Sequence, residues 1–208
     1  MRTVLATFVL LAAAGSAAAL DHNVRIDLDS DKKSEVTFAN LAITQGQGRT
    51  TNAATWRKDR PDTFAAALIA APLGTWSEVA FTATPSVDGK IALSFKGPWK
   101  AKKAPAPGEK TELEAVFADF DLIAVEGATV RNGDFEEASK EGTRPVGWWM
   151  GKEAEWMKDA ADAKSGKAYV HVWHSSPAAQ ELTVTAGTPI TVRAWVRPTA
   201  EAAASAKK

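Results

Sequence analysis

The sequence predicts an all-β sandwich. Short runs in which apolar residues recur at every second position fill most of the chain after the first twenty residues. Gly, Pro, Asn and Asp bound these runs at close intervals. No stretch leaves room for a long helix, so two facing sheets are the architecture that buries the apolar sides.

Residues 1–19 are expected to stand outside the fold. Arg2 supplies a positive start, Val4 to Ala14 an apolar stretch, and Ala17-Ala18-Ala19 a small-residue cleavage site. These are the parts of a secretory signal peptide, cleaved after Ala19. The apolar stretch is shorter than the roughly 20 residues that a spanning helix needs. The expected location is secreted or periplasmic, with no membrane insertion after cleavage.

Val24 to Leu28 alternates and reads as the first strand, and Val36 to Thr44 as the second. Gln45 to Asn52 reads as a Gly/Gln/Thr loop, followed by strands at Thr55 to Lys58 and Phe64 to Ala71. The segment FAAALIAA is helical by propensity, but Pro61 and Pro72 confine it, and a strand is preferred. From Trp76 the alternation sharpens, with Val79, Phe81 and Ala83 on one face. Asp88-Gly89 predicts a tight hairpin that returns Ile91, Leu93 and Phe95 as the partner strand.

Gly97 to Lys110 is a Pro/Lys loop, Leu113 to Val125 the longest strand, and Gly127 its break. Further on, Ala168, Val170 and Val172 alternate with Tyr169, His171 and Trp173. Leu182 and Val184 precede a turn at Ala186-Gly187. Ile190, Val192, Ala194 and Val196 then alternate with Thr191, Arg193, Trp195 and Arg197, and Pro198 is expected to stop the strand. Residues 199–208 read as a disordered Ala/Lys tail.

Bulk composition narrows the function. Lys+Arg 25 balance Asp+Glu 25, so no global field draws nucleic acid. Cys 0 removes disulfides, thiolate catalysis and cysteine-zinc sites. No Gly-x-Ser-x-Gly, His-Glu-x-x-His or phosphate loop occurs, and the expectation is a protein that is not an enzyme. Trp 8 against Tyr 1 is an unusual aromatic balance, and exposed indoles call for something to stack on.

Two segments carry a resemblance. Asn132-Gly133-Asp134-Phe135-Glu136 as an opening strand, then Gly147-Trp148, Ser165-Gly166-Lys167 and strands at Gln180 to Val184 and Ile190 to Val196, is one. Trp76, Phe81 and Pro85, closed by Phe120-Asp121, is the other. Together they resemble the two halves of the carbohydrate-binding modules attached to bacterial cellulases and xylanases, in permuted order. The resemblance implies a galactose-binding-like jelly-roll β-sandwich, Trp148 and Trp76 in its core, and a non-catalytic role in binding a glycan or polysaccharide. It is consistent with a single composite domain over 20–198. The alternative is a first sandwich over 20–130 and a partial second one over 132–198.

The resemblance also implies a structural calcium ion held by Glu136 and Asp121, with Asp134 or the Lys167 carbonyl adding oxygen. Leu122 departs from the family's pattern, which has an acidic or amide residue after the aspartate. Strand phase supplies the candidate ligand-binding residues. With the aliphatic side as core, Tyr169, His171, Trp173, Arg193, Trp195 and Arg197 line one outer surface, with Trp149 added. Aromatic faces stack on sugar C–H groups while Arg donates to hydroxyls. A loop covering these aromatics is the competing reading. His171 and His174, three apart on a strand, point to opposite sides and do not chelate one metal. The second function in view is a structural or protein-interaction role in the cell envelope without sugar affinity.

Overall fold

The computed structural model describes residues 23–31, 35–52, 63–103 and 108–202. The expected signal peptide, the strand at Thr55 to Lys58 and residues 203–208 of the tail lie outside these. Strands β1 (Asn23–Ser30), β2 (Phe38–Gln45), β3 (Gln47–Asn52), β4 (Phe64–Ala70), β5 (Ser77–Pro85) and β6 (Gly89–Lys96) come first. They are followed by β7 (Val116–Glu126), β8 (Trp149–Met150), β9 (Glu155–Lys158), β10 (Ala168–Trp173), β11 (Ala178–Val184) and β12 (Ile190–Ala202). No helix occurs among the described residues.

The strands form two six-stranded antiparallel sheets packed as a sandwich. The first has the order β3-β4-β1-β6-β11-β8, the second β2-β5-β12-β7-β10-β9. The core follows from the period of two. Val24, Ile26 and Leu28 of β1, Ile91, Leu93 and Phe95 of β6, and Leu182 and Val184 of β11 face inward from the first sheet. Phe81 of β5, Phe120 of β7, Val170 and Val172 of β10, and Val192, Ala194 and Val196 of β12 meet them from the second. Strands from both segments of the resemblance share each sheet: β6 pairs with β11, and β12 lies between β5 and β7.

Asp88-Gly89 does not close a hairpin. β5 belongs to the second sheet and β6 to the first, so the chain crosses the core there. An alternating strand buries its apolar side equally well beside a neighbour or across from it, so the pattern cannot separate the two. Gly89 has no positive φ, unlike the glycine of a tight primed turn. Instead the Asp88 carboxylate accepts the Ala186 amide at 2.7 Å, and the Gly187 amide donates to the Pro85 carbonyl at 2.8 Å. These bonds tie the β5–β6 crossing to the β11–β12 crossing.

Three further expectations change. Residues 47–52 form a strand rather than a loop, paired with β4 from Gln47↔Ala70 to Asn52↔Ala65. β3 is an edge strand, and its polar sequence lacks the apolar alternation that marks an inner one. β12 runs through Pro198 to Ala202, because a register shift follows Pro198 and relieves the ladder of the missing N–H. Asn132 to Glu136 is a corner, not a strand. Asn132 and Phe135 take φ of 52° and 59°, and the Asn132 side chain bonds the Glu137 amide and the Glu137 and Val146 carbonyls. Gly133 lies so close to β7 that a Cβ would sit 1.9 Å from the Ile123 carbonyl oxygen.

Candidate functional site

The outer side of the second sheet carries the residues singled out by strand phase. Register sets His171 opposite Asp119, Trp173 opposite Phe117, Trp195 opposite Asp121 and Arg197 opposite Asp119. Asp119 is 1% exposed and is the hub. One of its oxygens lies 2.6 Å from His171 Nδ1, and the other accepts from Arg197 Nε and Nη2 at 2.9 and 2.6 Å. His171 stacks flat on Phe117, with ring centroids 4.3 Å apart. No hydroxyl or thiol hydrogen-bonds His171 among the described residues, so the pair orients an imidazole without a nucleophile beside it.

The segment 159–167 covers part of this face. Asp162 accepts from Arg197 Nη1 and Nη2 at 2.6 and 2.7 Å and from the Tyr169 hydroxyl at 3.0 Å. Its carbonyl accepts from Trp76 Nε1 at 3.1 Å. Trp76 is therefore not a core residue. It meets Tyr169 edge-on at 6.0 Å, and the Arg197 guanidinium lies 4.7 Å from its ring centroid. Hydrogen bonds from Arg197 hold the Asp162 carboxyl below its usual range, and the bonds to Asp162 raise Arg197 in return. Burial, then the bond to Asp162, pushes the Tyr169 hydroxyl upward.

Trp195 is half-buried, with Lys164 Nζ 3.9 Å from its ring centroid. Trp173 is half-buried, and its buried Nε1 lacks a hydrogen-bond partner among the described residues. Arg193 reaches Glu126 at 3.2 Å and Gln45 at 3.4 Å. The aliphatic phase reading holds, since Val170, Val172, Val192 and Val196 are buried. Tyr169, Arg197 and Trp195, however, are engaged by Asp162 and Lys164 of the chain itself.

Trp149 stands apart from that face. β8 is the edge strand beside Ala178 and Ala179 of β11, and alternation sends Trp148 inward and Trp149 outward. Trp149 is 55% exposed and borders an open groove of about 290 Å³, lined also by Ser139, Lys140, Arg144, Val146 and Gly147. A small loop supplies the rest of the lining beside Trp148 and Trp149. The Ser139 amide donates to the Arg144 carbonyl, the Val146 amide to the Glu137 carbonyl, and Ala138 bridges Pro145. Gly147 closes the loop at φ 83°, a conformation open to glycine. Lys140 and Arg144 are exposed and make no ion pair among the described residues. Strand phase gives Trp149 no neighbours, and Lys140 and Arg144 are not among the candidates it supplies. The available signal is the turn Lys140-Glu141-Gly142-Thr143-Arg144, three residues before the tryptophan pair.

Asp121 and Glu136 lie near enough for their charges to interact, but the three implied calcium ligands do not form a metal-binding group. Asp121 is 0% exposed, and its oxygens accept the Leu122 amide at 2.7 Å and the Ser165 amide at 3.0 Å. Glu136 Oε1 accepts the Lys167 and Ala168 amides, and Asp134 caps the Glu136 amide. No group of three His, Cys, Asp or Glu residues suited to a metal occurs among the described residues. Amide hydrogens, rather than carbonyl oxygens, point at these carboxylates. That polarity does not fit an ion taking six to eight oxygens. Melting curves with calcium and with chelator are expected to coincide. A calcium-dependent rise abolished by Glu136→Ala would place an ion there, since a ligand of the folded form adds about 2.7 kcal/mol at a hundredfold excess over Kd.

Burial pushes the Asp121 carboxyl up to about 6, against the backbone bonds that lower it. The outer side of the first sheet holds the opposing case. There Asp27 is bonded by Arg25 and Lys96, each at 2.9 Å. Burial, then the charges of Arg25 and Lys96, pushes the nearby His174 down to about 4. Between pH 6.5 and 4 the unfolded chain takes up a proton on His174 that the folded chain refuses, so stability falls on acidification. Between pH 6 and 3.8 the folded chain binds a proton on Asp121 that the unfolded chain lacks, so stability rises on acidification. The two windows overlap and the slopes oppose, so they offset each other in the native protein, and urea unfolding of single variants across this range separates them. His174→Asn is expected to leave a gain on acidification and Asp121→Asn a loss.

The fold that presents these sites is an all-β, two-sheet antiparallel sandwich. Comparison with protein-family models, with curated proteins and with solved structures finds no match.

Proposed function

We propose that this is an exported, non-catalytic carbohydrate-binding sandwich, akin to the modules of bacterial cellulases and xylanases, that holds a glycan in the groove at Trp149. The observation that carries the reading is the exposed indole of Trp149 beside a groove with Arg144 and Lys140 on its rim. An indole face stacks on the C–H side of a pyranose, and charged donors at the rim reach its hydroxyls. Trp99 is the other large exposed aromatic among the described residues. The lysine next to it, Lys100, is already paired with Glu114 at 2.7 Å, so less free donor chemistry surrounds it.

A second reading is an interaction protein of the cell envelope without sugar affinity. The cover that Lys164 and Asp162 provide over Trp195, Tyr169 and Arg197 favours it, because it withdraws the wider aromatic surface. Affinity electrophoresis of the purified protein through gels containing soluble polysaccharides separates the two. Trp149→Ala is expected to abolish retardation while leaving the melting temperature unchanged. Loss of a central aromatic costs 2 kcal/mol or more, roughly thirtyfold in affinity. Retardation that survives Trp149→Ala, or none on any polysaccharide, would favour the second reading.

A further inference from the structure

Resting on that reading, we propose that the Trp149 groove selects acidic glycans, those carrying carboxylate or sulfate groups on the sugar. Lys140 and Arg144 both line the groove, both are exposed, and neither is neutralised by an ion pair among the described residues. The chain as a whole is charge-balanced, so two unpaired cations around one groove are a local feature and not a share of a global excess. Lys102, Lys110, Lys152 and Lys167 are also exposed without an ion pair among the described residues, but of these cations only Lys140 and Arg144 line the groove beside Trp149. Glu141 belongs to the same turn but does not line the groove.

The geometry suits one charged sugar unit. The Ser139–Arg144 backbone bond and the Ala138–Pro145 bridge shape the loop 137–146, whose Arg144 lines the same groove as Trp149. A pyranose stacked on Trp149 then presents its ring substituents toward Lys140 and Arg144. A guanidinium matches a carboxylate or sulfate with two parallel N–H···O bonds, whereas a neutral hydroxyl offers a single uncharged oxygen and cannot form that paired, charge-assisted contact. The Ser139 hydroxyl is buried without a hydrogen-bond partner among the described residues, which adds an unsatisfied polar group to the same wall.

The test is affinity electrophoresis and titration calorimetry of the full chain against matched polymers. Polygalacturonate against its methyl-esterified form probes carboxylate, and dextran sulfate against dextran probes sulfate. Retardation by an acidic polymer and not by its neutral match is expected, weakening as salt rises. Lys140→Gln combined with Arg144→Gln should weaken it by roughly tenfold or more, with an unchanged melting curve. The acidic polymer that binds names the charged group. Equal binding of the neutral polymers, lost in Trp149→Ala, would overturn the selectivity and leave the glycan reading standing. Acidic binding that persists in the Gln double variant would overturn it too, since the charges responsible would lie elsewhere. Failure of every polymer to bind would remove both.

Discussion

Trp148→Ala should lower the unfolding free energy by about 3–5 kcal/mol, the range for removing a large aromatic from a packed core. The residue is 2% exposed and lies among Phe135 and Phe95, with ring centroids 5.0 and 5.9 Å away. Its Nε1 also donates to the carbonyls of Arg131 and Asn132 at 3.1 and 2.9 Å. Truncation leaves a void and takes a donor from two acceptors at once, and each term is destabilising. Trp148→Phe separates them, because it refills much of the void without replacing the N–H. Urea unfolding should rank the native protein above the Phe variant and the Phe variant above Ala. A loss below about 1 kcal/mol for Ala would mean that the ring is not a core element.

The second large effect is expected at Arg197. Arg197→Met should cost about 3–5 kcal/mol, since it strands the buried Asp119 carboxylate without its cation. His171 remains beside one oxygen, but the two bonds to the other oxygen are lost. The same change frees Asp162, so amide hydrogen exchange in 162–168 should quicken. Combining it with Asp119→Leu should recover much of the loss, because a buried ion pair exchanged for apolar groups is often neutral. Asp162→Ala should cost less than 1 kcal/mol, as that side chain is 49% exposed and its ion pair is screened. If Arg197→Met unfolded no more readily than Asp162→Ala, Asp119 would not depend on its cation.

Much of the sandwich was readable because burial writes itself as alternation. Phase alone points Val170, Val172, Val192 and Val196 inward, and they are buried. Sheet membership was not readable, because phase reports which side of a strand is apolar and not whether its successor lies beside it or across the core. Asp88-Gly89 illustrates this, since its carboxylate and not its glycine shapes the crossing. At the candidate sites, phase put Tyr169, Trp195 and Arg197 on the outer side, as found. It could not supply Asp162 and Lys164, which arrive from a segment without period. Lys140 and Arg144 escaped for a related reason: their place beside Trp149 depends on a loop whose shape comes from Asn132 and Gly147 at positive φ.

The position of β12 has a consequence for how the chain is made. It is the last described strand in sequence, yet it sits in the middle of its sheet, between β5 and β7. Until Ile190–Ala202 has been synthesised, β5 and β7 have no common neighbour and each presents an unpaired edge. The first sheet waits similarly, since β6 meets β11 only through contacts such as Lys90↔Thr183. Pairings this distant along the chain form slowly, because loop closure precedes any reward. The growing polypeptide thus stays open until β12 emerges, a state that a protease can reach.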